Sequence, residues 1–215
     1  MKRVIVIGEG PTEQEFCTDV LYPYFVQQGI LIENPKIKLS KGGIVPWPKL
    51  KREIEIYLKN DTTAFVTTLI DYYGIHGYHK FPEWDEAHQK VNKSECINHI
   101  ESAMGSEVNH PHFIPYIQMH EFEALIFSDT QVLRDNFEPG EFKDIDLLEA
   151  TENTFDCPED INNNPATAPS KRLKDIFITY NKVQFGSLIL QEIGLNKIRE
   201  KCPRFDGWIR QLESV

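Results

Sequence analysis

The chain predicts an α/β fold: a Rossmann-like, mostly parallel sheet flanked by helices, followed by a helical C-terminal extension. Three observations carry the expectation. Short β-rich apolar runs recur at Val4-Ile5-Val6-Ile7, Ala64-Phe65-Val66-Thr67-Thr68-Leu69-Ile70 and Phe113-Ile114-Pro115-Tyr116-Ile117, as expected of strands buried on both faces. Segments with apolar residues at helical spacing lie between them. From residue 129 onward only helical spacing remains. Such alternation favours parallel strands joined by right-handed crossovers. The expected organisation is an α/β core over 1–128 and a helical portion over 129–215 packed on it.

The first strand breaks at Gly8-Glu9-Gly10-Pro11-Thr12-Glu13. Thr12 and Glu15 stand three apart, the spacing of a capping box. Phe16, Val20, Leu21, Tyr24 and Phe25 then predict a helix over 12–28, bent near Pro23. Lys36-Ile37-Lys38-Leu39-Ser40 alternates polar and apolar like a short strand, ended by Gly42-Gly43. Leu50, Ile54, Tyr57 and Leu58 mark a helix over 47–59, with Lys49, Lys51 and Arg52 toward solvent. The second core strand closes at Asp71-Tyr72-Tyr73-Gly74. Ala87, Val91, Ile97, Ile100 and Met104 form a broken helical stripe over 84–104, and the third strand runs into His120-Glu121-Phe122-Glu123.

Beyond 129, helical spacing groups Phe142, Ile145 and Leu148, then Leu173, Ile176, Phe177 and Tyr180, then Leu188, Ile189 and Ile193. The Asn- and Pro-rich stretch 157–169 between them has the composition of a loop. With 215 residues and 40% hydrophobic content the chain can bury a full core. No run of about 18 apolar residues exists, so no membrane span is expected. The opening apolar run is broken by Glu9 too early for a signal peptide. Cys17, Cys96, Cys157 and Cys202 are scattered without a C-x-x-C pair, which suits reduced thiols in a cytoplasm. The net charge of −10 disfavours an autonomous grip on long nucleic acid.

Acidic groups punctuate all three strand ends: Glu9 and Glu13, then Asp71, then Glu121 and Glu123. In a parallel sheet those ends share one rim, where open α/β sheets bind ligands. A dinucleotide loop is a poor fit, because Glu13 occupies the third glycine position and Glu9 would oppose a pyrophosphate. Oxygen-rich carboxylates instead suit Mg²⁺ or Mn²⁺, and two such ions about 4 Å apart serve phosphodiester cleavage. The plainer alternative is that each acid caps a helix. Ala168-Pro169-Ser170-Lys171-Arg172 suits a helix start whose cation opposes the dipole, as for an anionic substrate, or else a solvated basic turn. His76 with His79, His110 with His112, and His120 beside Glu121 offer a rival zinc set. Tyr72, Tyr73, Tyr78, Phe81 and Trp84 could stack on bases or simply pack.

The Gly8-Glu9-Gly10-Pro11-Thr12-Glu13 motif after a first strand resembles the E-G-x-T-E signature of Toprim domains, especially those of the OLD (overcoming lysogenization defect) nucleases. Thr68–Gly74, His120–Ala124, Ala168–Arg172 and Cys202-Pro203-x-Phe205-x-x-Trp208 extend a resemblance over nearly the full length. It is to an uncharacterised bacterial family of Toprim-like proteins, the domain-of-unknown-function family numbered 4276, often thought to accompany ATPases in defence loci. The resemblance implies that Glu9 is the general acid-base or a metal ligand, that Glu13 is the second glutamate of OLD-type sites, and that Asp71 is the first aspartate of a D-x-D. The second aspartate position holds Tyr73, which is no carboxylate ligand, so Glu121 or Glu123 would supply that charge, or the site holds one ion, or it is catalytically dead. Lys171 takes the place of a lysine near the scissile phosphate, with Ser170, Arg172 and Tyr73 as substrate contacts. The expected activity is a Mg²⁺- or Mn²⁺-dependent phosphodiesterase that holds nucleic acid weakly alone and works with an ABC- or SMC-like ATPase. The alternatives are a non-catalytic regulatory subunit of such an ATPase and a small-molecule phosphoesterase.

Overall fold

A computed structural model describes residues 1–35, 37, 43–161, 164, 166–180 and 182–215. Strand β1 (Lys2–Gly8) leads into α1 (Pro11–Phe16), a π-helical turn (Cys17–Leu21) and α2 (Tyr22–Val26). The helix starts one residue earlier than the sequence suggests. Gly10 is its N-cap and Pro11 its first residue, so the Thr12–Glu15 capping box does not form. The wide π turn stands just before Pro23, whose ring would crowd a regular α-helical turn. Gly29, at a φ of 78°, turns the chain into β2 (Ile30–Glu33). The strand expected over 36–40 lies mostly outside the described residues.

Helix α3 (Trp47–Asn60) precedes β3 (Phe65–Asp71), as the spacing predicts. The 84–104 stripe resolves into α4 (Trp84–Ala87) and α5 (Lys93–Val108). Val91 falls between them and is 95% exposed, so it belongs to neither apolar face. The third strand is broken into β4 (Phe113–Ile114) and β5 (Ile117–Gln118) around Pro115 and Tyr116. The Thr68 hydroxyl bridges the break, donating to the Tyr116 carbonyl at 2.7 Å and accepting from its N–H at 3.0 Å.

The sheet is five-stranded with order β2-β1-β3-β4, and β5 pairs with β3. Every described pairing is parallel, giving a Rossmann-like, doubly wound sheet. Chain direction across the sheet reverses between β1 and β3, which is the topological switch point. Ile5, Ile7, Val66 and Ile70 face α3 and α5, whereas Val4, Val6 and Leu69 face the opposite layer.

That opposite layer is built largely by the second half of the chain. It comprises α6 (Thr130–Asn136), α7 (Ile145–Thr154), α8 (Pro169–Ile176), α9 (Lys182–Ile193), α10 (Leu195–Lys201) and α11 (Pro203–Glu213). Ile145 and Leu188, expected on apolar faces, are exposed, while Leu148, Ile189 and Ile193 are buried. One antiparallel bridge joins Phe142 to Phe177. Trp208 of α11 donates to the Thr67 hydroxyl at 2.9 Å and stacks on Tyr116 at 4.6 Å. Glu159 accepts the Arg204 and Phe205 N–H groups, satisfying the start of α11. Among the described residues no helix is long and apolar enough to cross a membrane.

Candidate active site at the switch point

Parallel pairing puts the carboxyl ends of β1, β3 and β5 on one rim. Glu9 follows β1 directly, Asp71 ends β3, and Glu121 stands three residues beyond β5. Glu9 Oε1 accepts the Asp71 N–H at 2.7 Å, and Asp71 Oδ1 accepts the Phe122 N–H at 2.9 Å. The Tyr73 N–H donates to the His120 carbonyl at 2.9 Å. These three bonds stitch the strand ends together and bring Glu9, Asp71 and the Glu121–Glu123 turn to one place. His120 adopts a left-handed φ of 62° there, a conformation that side chains disfavour and that concentrates at functional sites.

Close packing around Glu13 explains the two glycines of the first motif. A Cβ on Gly8 would stand 3.0 Å from Glu13 Cβ, and one on Gly10 would stand 3.2 Å from its carboxylate. Glu13 is buried in the first turn of α1, and Glu123 is buried in the 3₁₀ turn Phe122–Ser128. Both carboxylates therefore lie inside the rim rather than in solvent.

The Ala168–Arg172 motif divides. The Ser170 N–H and hydroxyl both donate to Glu121, at 2.8 and 3.0 Å, so Glu121 caps α8 from outside and draws that helix to the rim. Lys171 is exposed on the same turn. Arg172 turns toward α7 instead, donating to the Thr167 carbonyl and the Thr151 hydroxyl and lying 5.3 Å from the Phe155 ring centre. It braces Thr167 against α7.

Sequence reasoning missed Lys93 and undervalued His120. Lys93 opens α5, and its ammonium lies 4.6 Å from the Tyr72 ring centre and donates to the Tyr72 hydroxyl at 3.3 Å. Burial, with the nearby Lys93 charge, pushes the His120 imidazole down to about 4, so it is neutral at physiological pH. Its Nδ1 is buried without a hydrogen-bond partner. A cation on the first residue of a helix was the available signal for Lys93. The other paired histidines serve local backbone: His79 Nδ1 accepts the His76 N–H, and His110 Nδ1 accepts the His112 N–H.

The donor set fits one class of ion better than another. Among the described residues no three His, Cys, Asp or Glu side chains form a ready-made cage. A structural zinc centre needs such a cage. Mg²⁺ does not, since it is usually held by one or two carboxylates, waters and substrate phosphates. Glu9, held by the Asp71 N–H, and Asp71 are the residues that could supply such hard oxygen donors.

A family model described as Domain of unknown function (DUF4276) matches residues 8–213, and the chain belongs to that family. No curated protein and no solved structure matches it.

Proposed function

We propose that this member of the family is a divalent-metal-dependent phosphodiesterase acting on nucleic acid, working beside a partner ATPase. What supports the reading most is the hydrogen bond from the Asp71 N–H to the Glu9 carboxylate, which ties the ends of β1 and β3 together at the switch point of a doubly wound sheet. The resemblance of the Gly8–Glu13 motif to Toprim domains points the same way. Glu9 and Asp71 would hold Mg²⁺ or Mn²⁺, with Glu13 and Glu123 supplying further negative charge from inside the rim. When bound, the ion would supply charge neutralisation for the phosphodiester oxygens.

The remaining work falls to the protein's own groups. Glu9 accepts a proton from the attacking water or returns one to the leaving oxygen. The Asp71 N–H fixes the orientation of the Glu9 carboxylate. Ser170 holds Glu121 and so keeps the exposed Lys171 at the rim, where its charge attracts the substrate backbone. The acidic surface makes that attraction weak, which is why a partner is part of the proposal.

A second reading, a non-catalytic ATPase subunit with this fold, is favoured by one observation: Tyr73 stands where a second carboxylate would be expected. Glu9→Gln separates the two. With Mn²⁺, low salt and any ATPase encoded beside it, wild type should cleave nucleic acid and Glu9→Gln should lose about 10²–10⁴-fold in rate. Absence of cleavage in both proteins, with ATPase binding intact, would support the non-catalytic reading instead.

A further inference from the structure

We propose that a cavity of about 400 Å³ beside Asp71, lined by Tyr72, Tyr73, His76, Trp84, His88 and Lys93, seats one unpaired nucleotide of a nucleic-acid strand, its base on the aromatic rings and its phosphate at Lys93. This deepens the phosphodiesterase reading and rests on it for the identity of the neighbouring rim.

Three features carry the assignment. The first is position. Tyr72 and Tyr73 follow Asp71 directly, and the Tyr73 N–H is tied to the His120 carbonyl, so one wall of the cavity is continuous with the rim. The second is the lining. Tyr72 is buried and fixed by the Lys93 ammonium and by a 3.0 Å hydrogen bond with His88, whose ring centre lies 4.1 Å from that of Trp84. Tyr73 and Trp84 are half-buried, so each keeps ring surface accessible. Aromatic faces of this kind stack on any base, without sequence readout.

The third feature is charge. Lys93 makes no ion pair with a carboxylate among the described residues, in a chain of net charge −10. It also sits at the first position of α5, against the helix dipole. A half-buried cation so placed costs stability unless it meets an anion. Next to aromatic faces, the matching ligand joins a flat ring to a phosphate. A duplex keeps its bases stacked inward and would have to unstack one to enter, so the occupant is a single strand.

Fluorescence of the full chain in EDTA tests this without any requirement for cleavage. Trp47 and Trp208 are 2% and 1% exposed, so quenching by an added ligand reports chiefly on Trp84. A short single-stranded oligothymidylate should quench the emission at low salt, and the same strand annealed to its complement should do so far less. Tyr73→Ala and Lys93→Gln should each weaken single-strand binding about tenfold, the effect of losing one stacking or backbone contact. Tyr73→Phe keeps the ring and should bind like wild type, and circular dichroism checks that each variant is folded. Unchanged binding in both Tyr73→Ala and Lys93→Gln would overturn the proposal. So would quenching by inorganic phosphate or thymidine monophosphate as strong as by the strand, which would make the cavity a small-anion or free-nucleotide site. Strand binding at this cavity by a protein that never cleaves would sink the phosphodiesterase reading and leave the nucleotide seat standing.

Discussion

Arg199 illustrates how single residues hold the second half of the molecule together. Its guanidinium donates to Glu213 at 2.5 and 3.1 Å, to Asp206 at 2.6 Å, and to the Tyr24 hydroxyl at 2.7 Å. One planar fork thus joins α10, α11 and the end of α2. Hydrogen bonding to Arg199 lowers the Glu213 carboxyl below its ordinary value of 4.5, against the opposing effect of burial. A lowered pKa means that the unfolded chain binds the proton more readily than the native state. The stabilisation is therefore fully present above pH 4.5 and fades as pH falls through the lowered value. Glu213→Gln should reduce the melting temperature at pH 7, with the gap from wild type closing as the pH is taken below 4. A gap of constant size across that range would show that the ion pair contributes nothing.

Other buried carboxylates obey a related logic with a different outcome. Glu159 spends its carboxylate on the N–H groups that open α11, and Glu121 spends its own on Ser170. Both act as external caps for helices from the far half of the chain. Glu9 and Asp71, by contrast, take these bonds from within the strand-end cluster itself.

At the scale of elements, the broken third strand is the most telling. Pro115 cannot donate to a ladder, so β4 and β5 each pair with β3 but not continuously. The Thr68 hydroxyl fills the gap by serving both polar groups of Tyr116. Thr68→Val preserves shape and removes both bonds in a site with no solvent access, so urea denaturation should show a loss of about 2 kcal/mol. A loss below about 0.5 kcal/mol, within the range of an ordinary surface substitution, would mean that the hydroxyl is not what maintains the crossing.

Elements with strong local signals were legible in the sequence. The strands β1 and β3 are continuous apolar runs because both faces are covered, and α3 has a regular stripe. Strand β2 was not legible, since Ile30-Leu31-Ile32 is short and directly follows a helix. Ile145, Leu188 and Val91 misled because an apolar residue at helical spacing need not be on the packed side. The candidate site divides similarly. Glu9 and Asp71 end strands and announce themselves. Lys93, and the strained backbone of His120, matter through neighbours more than 20 residues away in sequence, which spacing alone does not encode.

For the whole molecule, the division at residue 128 describes the change in secondary structure better than it describes the core. Val4, Val6 and Leu69 of the sheet share one apolar cluster with Leu190, Ile198, Phe205 and Trp208. Gly186 lets α9 approach α1 so closely that a Cβ there would meet the Thr12 methyl at 3.2 Å. Glu121 and Ser170 link the two halves again at the rim. The second half thus covers one face of the sheet and also positions one wall of the candidate site. On the proposed reading this shared rim holds a divalent cation on Glu9 and Asp71. Electron paramagnetic resonance of free Mn²⁺, titrated with wild type, Glu9→Gln, Asp71→Asn and, as a control whose carboxylate bonds Trp47 and Lys51, Glu107→Gln, tests this. Wild type and Glu107→Gln should deplete the free signal alike, while Glu9→Gln and Asp71→Asn should each weaken binding at least about tenfold. Equal Mn²⁺ binding by all four proteins, or none by wild type, would contradict it.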